Sequence, residues 1–177
     1  MQFANPFSGS YKITSPFGYR TAPTAGATTD HKGVDYSVPV GTDILSTAPG
    51  VVSEAAYSAS RGNYVIVNHG GGLSSVYEHL DSIAAKIGQT VAQGERIGSS
   101  GNTGITTGPN LHFEIRENGV AVDPLKYLSG STEVSDMGDL KGKALGYAGD
   151  AVELLKQYWY IAAGGLILVA LIDRFKD

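Results

Sequence analysis

Short apolar runs separated by turn-forming residues fill the first two thirds of the chain. Val38-Pro39-Val40, Ile44-Leu45, Val51-Val52, Tyr64-Val65-Ile66-Val67 and Leu111-His112-Phe113-Glu114-Ile115 are brief and largely β-branched or alternating. Runs of this length predict strands rather than helices. Between them stand Gly26, Pro49-Gly50, Arg61-Gly62-Asn63, Gly70-Gly71-Gly72, Gly101-Asn102 and Asn118-Gly119. Glycine, proline and asparagine supply the backbone angles that end strands and reverse the chain. Asn118-Gly119, between Ile115 and Val120-Ala121-Val122, predicts a hairpin turn. One short helical or turn segment is predicted near Asp81 to Lys86. The pattern predicts an all-β domain over residues 1–130.

The pattern then changes twice. Ser129-Gly130-Ser131-Thr132-Glu133 is polar, and Gly138, Gly142, Gly146 and Gly149 recur at short intervals, so residues 131–150 read as a Gly-rich linker. Residues 151–177 read as a single hydrophobic helix. Its run from Tyr158 to Ile172 carries no charge. As a helix this run would rise about 22 Å, somewhat short of a ~30 Å bilayer core. It is apolar all round rather than along one stripe, which predicts a membrane-embedded helix with Tyr158, Trp159 and Tyr160 at the interface. A helix buried inside an oligomer is the alternative.

Composition narrows the chemistry. A length of 177 residues suggests one domain with an appendage. The absence of Cys excludes a disulfide scaffold, a thiolate nucleophile, an Fe–S cluster and any Cys-based zinc site. A net charge of −4 argues against nucleic acid as the main partner.

The four histidines are His31, His69, His79 and His112. In His31-Lys32-Gly33-Val34-Asp35, read as a strand, His31 and Asp35 share a face with a glycine between them. In Asn110-Leu111-His112-Phe113-Glu114-Ile115 the apolar residues take one face, and Asn110, His112 and Glu114 take the other. That polar face could line a cleft or simply be solvated. Alternation puts Tyr77 and His79 on one face of their strand, and His69, at a strand end, reads as structural. Two imidazoles and one carboxylate make a tridentate zinc set with an open fourth position. Spacing alone leaves open that these are unrelated surface groups.

Taken together, His31-Lys32-Gly33-Val34-Asp35 and Gly104-Ile105-Thr106-Thr107-Gly108-Pro109-Asn110-Leu111-His112-Phe113-Glu114-Ile115 resemble the lysostaphin/LytM-type (M23) zinc metallopeptidases. Ser15-Pro16-Phe17-Gly18-Tyr19-Arg20, Gly62 to Gly70, Tyr77-Glu78-His79-Leu80, Gly88 to Gly98 and Val122 to Leu128 extend the resemblance in the family's order. It implies a compact antiparallel β-sheet fold with a groove over a Zn2+ ion. It further implies His31, Asp35 and His112 as metal ligands, His79 as a catalytic imidazole, and bacterial peptidoglycan peptides as substrate.

The sequence departs from the family at Asn110, where a second catalytic His is usual. An amide can hold a water or a carbonyl but cannot take a proton at neutral pH. The expectation is an active zinc endopeptidase in which His79 carries more of the proton transfer, Asn110 positions the water and Glu114 orients His112. The alternative is a catalytically impaired wall-binding or structural module. Met1 to Pro6 lacks the basic and apolar regions of a secretory signal. This suggests a virion-associated enzyme that reaches the wall from outside during phage entry. The tail over 158–172 would then meet a lipid membrane or other virion proteins. A cellular envelope peptidase and a cytoplasmic lysin are the competing expectations.

Overall fold

The computed structural model describes residues 3–128. The linker and the hydrophobic helix expected beyond residue 130 lie outside the described residues. Among the described residues no helix is long and apolar enough to cross a membrane.

The short runs form strands: β1 (Ile13–Ser15), β2 (Gly18–Tyr19), β3 (Asp30–His31), β4 (Val34–Tyr36), β5 (Asp43–Leu45), β6 (Gly50–Ser58), β7 (Gly62–Gly70), β8 (Leu73–Ile83), β9 (Thr90–Val91), β10 (Arg96–Ser100), β11 (Leu111–Glu117) and β12 (Val120–Val122). All pairings between these strands are antiparallel. Ten of the strands form one sheet with a spine ordered β1-β4-β11-β8-β7-β6-β9; β10 bridges β8 to β5, β12 pairs with β11, and β2 pairs with β3 apart from this sheet. Asn118 and Gly119 close the β11–β12 hairpin with φ of 51° and 82°. Two successive left-handed residues match the twist of the flanking strands, so this turn forms as expected.

The apolar face of β11 meets the core. Leu111 pairs with Tyr36, and Phe113 pairs with both Val34 and Tyr77. Those residues, with Val65, Val67, Leu80 and Ile115, are buried in one cluster. The Tyr77 and Phe113 rings lie 5.3 Å apart. The Tyr77 hydroxyl is satisfied inside this core, 2.9 Å from Ser75 Oγ and 2.9 Å from Thr47 N. Ser75 Oγ in turn lies 2.8 Å from Nε2 of His69, whose Nδ1–H donates to Pro49 O. His69 is therefore a buried member of a polar chain under the sheet.

Two expectations for secondary structure give way. Val38-Pro39-Val40 is not a strand: Pro39 has no N–H for a ladder, and its carbonyl accepts from Thr42 and Ser100 instead. The helical or turn segment expected near Asp81 is strand through Ile83, because Ser82 and Ile83 find ladder partners in Ser99 and Gly98 of β10. The one 3-10 helix among the described residues is Pro124–Lys126, capped by Asp123 Oδ1.

Candidate metal centre

The sheet register assembles the polar side chains. His112 sits opposite Asp35 on one side and opposite Glu78 on the other, so all three project from the same face. This face is not solvated, since His112 and Glu114 are only 8% and 4% exposed. Gly33 brings His31 close: a Cβ there would lie 2.3 Å from Phe113 O and 2.9 Å from His112 Nε2. The space is free only because the residue is glycine.

Three donor atoms converge. Asp35 Oδ1 lies 2.7 Å from His112 Nδ1 and 3.1 Å from His31 Nε2, and the two ring nitrogens are 3.0 Å apart. Both rings are held through their other nitrogen. His31 Nδ1–H donates to Pro16 O at 2.7 Å, and His112 Nε2–H donates to Glu114 Oε1 at 3.2 Å. Arg116 Nε holds Glu114 Oε2 at 2.7 Å. Each ring therefore turns its remaining nitrogen toward Asp35 Oδ1, the atom that would ligate a metal in its unprotonated form. Tetrahedral N and O ligands at about 2.0–2.1 Å from zinc stand roughly 3.3 Å apart. The observed triangle is slightly tighter, so the donor set fits such an ion.

Electrostatics follow from this packing. Burial alone would raise the Asp35 carboxyl, but the bonds from His112 and His31 outweigh it and hold the group well below the usual carboxylate range. Burial likewise opposes charge on His112, yet the bonds to Asp35 and Glu114 carry its pKa up to about 9.

His79 reaches the same face by a different device. Tyr77 pairs with Val65 and Leu80 with Asn63, so β8 spends one residue more than β7 over this stretch. The extra residue makes a bulge, and His79 adopts φ 65° within it. Tyr77 and Leu80 both enter the core, while the His79 ring stands 6.1 Å from that of His112. The expectation that Tyr77 and His79 share a face therefore fails, because the bulge resets the alternation. Arg61 O fixes the His79 backbone N–H at 2.9 Å, and Nδ1–H donates to Thr103 O at 2.8 Å. Burial lowers the His79 pKa, partly offset by the Thr103 bond. The ring is neutral near pH 7, with its lone pair on Nε2.

Asn110 leads into β11 and pairs with Gly101. Its Oδ1 accepts from Thr106 Oγ1 at 3.1 Å rather than bonding to a histidine. Sequence reasoning left several supporting residues without a role. Arg20 holds Asp35 Oδ2 at 2.8 Å, Arg61 holds Glu78 Oε1 at 2.6 Å, and Thr103 orients His79. The charged residues carry no local signal of whom they will meet, since Arg20 and Asp35 lie 15 positions apart.

The antiparallel sheet thus carries a buried His–Asp–His set whose donor atoms could hold a metal ion. The chain belongs to peptidase family M23, whose sequence profile matches residues 29–124. It is 48% identical over 122 residues to an uncharacterized metalloprotease of Haemophilus influenzae, covering 68% of this chain and 26% of that protein. It is 38% identical over 122 residues to the peptidoglycan DD-endopeptidase ShyA of Vibrio cholerae, covering 68% and 28%. The chain thus spans about a quarter of the length of these curated relatives. The crystal structure of a zinc-containing peptidase from Vibrio cholerae is similar at a TM-score of 0.65 and 36% identity, over 70% of this chain and 39% of that one.

Proposed function

We propose that this domain is a zinc-dependent endopeptidase that cleaves peptide cross-links of bacterial peptidoglycan, with His31, Asp35 and His112 as the metal ligands. The observation that carries the reading is the convergence of His31 Nε2, Asp35 Oδ1 and His112 Nδ1 within 3.1 Å. Membership of a peptidase family and the activity named for ShyA support the substrate class. When bound, zinc supplies Lewis acidity that polarises the scissile carbonyl and acidifies water enough for attack near neutral pH.

The chain's own residues do the rest. His79, neutral and fixed through Nδ1, accepts a proton at Nε2 as water attacks and returns it to the departing amine. Asn110 cannot exchange protons. Its amide, beside Thr106 Oγ1 at 3.1 Å, is suited to hold the attacking water or the substrate carbonyl. Glu114 and Arg116 fix the orientation of His112 from behind.

Metal analysis and digestion of purified peptidoglycan test this reading. The expected results are one zinc per chain, lost in His31→Ala, and soluble muropeptides identified by mass spectrometry. No zinc bound with His31 intact would overturn the metal centre. Asn110 favours a second reading, a wall-binding module without cleavage, and zinc binding with no release of muropeptides would establish it.

A further inference from the structure

The segment Ser15 to Arg20 touches two of the three donors without supplying one. Pro16 O receives the His31 Nδ1 proton, and Arg20 Nη1 donates to Asp35 Oδ2 at 2.8 Å. Ser15 Oγ lies between them, 3.4 Å from His31 Nδ1, and accepts from the same Arg20 Nη1 at 2.5 Å. The pairing of β2 with β3, Gly18 with His31 and Tyr19 with Asp30, keeps this segment beside the centre. Arg20 N–H to Thr29 O extends the pairing by one residue. The Arg20 and Asp35 side chains are only 17% and 13% exposed.

A carboxylate offers two oxygens, and an unrestrained Asp35 could turn both toward an ion. Here the two oxygens have different tasks. Oδ1 faces both imidazoles, while Oδ2 is turned away and occupied by a planar guanidinium with fixed donor directions. The arrangement has a cost. Arg20 Nε is buried with no hydrogen-bond partner among the described residues, so the guanidinium reaches Asp35 at the expense of one desolvated donor.

We propose that Arg20 is a positioning residue, acting through Asp35, that limits this carboxylate to one metal-facing oxygen, with Ser15 bracing the guanidinium. This rests on the reading of His31, Asp35 and His112 as metal ligands. With one oxygen from Asp35, the centre keeps a fourth position open for substrate or water. With two, that position is crowded.

The test uses the full chain as wild type, Arg20→Met, Arg20→Lys and Ser15→Ala. Three quantities are measured: the Zn2+ dissociation constant, the visible spectrum of the Co2+ form, and the melting temperature without metal. Arg20→Met should weaken zinc binding by about 10–100-fold. It should also dim the Co2+ ligand-field bands, as the second Asp35 oxygen raises the coordination number. Arg20→Lys should recover part of the affinity but not the spectrum, since it keeps the charge and loses the fork. Ser15→Ala should weaken binding by a few-fold. Unchanged affinity and spectrum in the Arg20 variants, with only a lower melting temperature, would make Arg20 a structural brace and overturn the proposal. A wild type that binds no zinc overturns the metal centre itself, a result distinct from that one. Should Arg20→Met fail to fold, Arg20→Lys and Ser15→Ala decide the matter on the same readouts.

Discussion

At the scale of single residues, His79 departs furthest from what its neighbours dictate. A non-glycine side chain at φ 65° carries backbone strain. The strain has a use here, because it turns an imidazole out of a core-directed strand toward His112. The strained geometry predicts an inverted order of stability between two otherwise similar variants. In an ordinary strand Gly is worse than Ala, but at this position Gly relieves the left-handed backbone. His79→Gly should therefore be more stable than His79→Ala by about 1 kcal/mol in denaturant unfolding. Both variants should lose about 100-fold or more in peptidoglycan cleavage, while zinc affinity stays within a few-fold. An Ala variant more stable than the Gly variant would mean that the strain is not real.

At the scale of elements, β11 and β8 show how much of the site the sequence carries. Strict alternation in Leu111-His112-Phe113-Glu114-Ile115 correctly separates the core face from the ligand face, because β11 pairs without a break along both neighbours. The same rule fails in β8, where nothing in Tyr77-Glu78-His79-Leu80 announces the extra residue. The bulge is set by partners: Arg61 O accepts from the His79 N–H, and Asn63 Nδ2 donates to Leu80 O. Burial of the polar face was also illegible, since its neighbours are distant in sequence: Pro16 O and Arg20 meet His31 and Asp35 across 15 positions each. Gly33 was legible as room between two donors, and the structure sharpens that into a steric requirement. Gly33→Ala should cost about 1–3 kcal/mol and weaken zinc binding, because its Cβ must displace Phe113 O and the His112 ring. Gly108→Ala is the control. Nothing lies within 4 Å of its Cβ and its φ is not left-handed, so its unfolding midpoint should barely move.

At the scale of the whole molecule, two charge-linked equilibria act on the fold. The first concerns His69, whose pKa is lowered chiefly by burial, with the bond to Pro49 O opposing. A folded-state pKa below the ordinary 6.5 means that the unfolded chain binds the proton more readily. This contribution is therefore complete above pH 6.5 and is lost as pH falls below it toward the depressed folded value. His69→Gln should flatten that part of the stability profile, read as a smaller difference between denaturant midpoints at about pH 8 and about pH 5.5. The second follows from the metal site proposed above. His31 and His112 are 81 positions apart, so an ion held between them joins distant parts of the chain in the folded state only. Zinc at about 1,000 times its dissociation constant would add roughly 4 kcal/mol, or on the order of 10 °C in melting temperature. The metal-free protein should still melt cooperatively, because Asp35 and the two imidazoles already bond to one another. Below pH 9 the ion must displace the proton that His112 holds with a pKa of about 9, so zinc affinity should climb with pH up to that point. Calorimetric scans of zinc-loaded and chelated protein across neutral pH read both effects. A melting temperature indifferent to zinc would show that the three donors serve only one another.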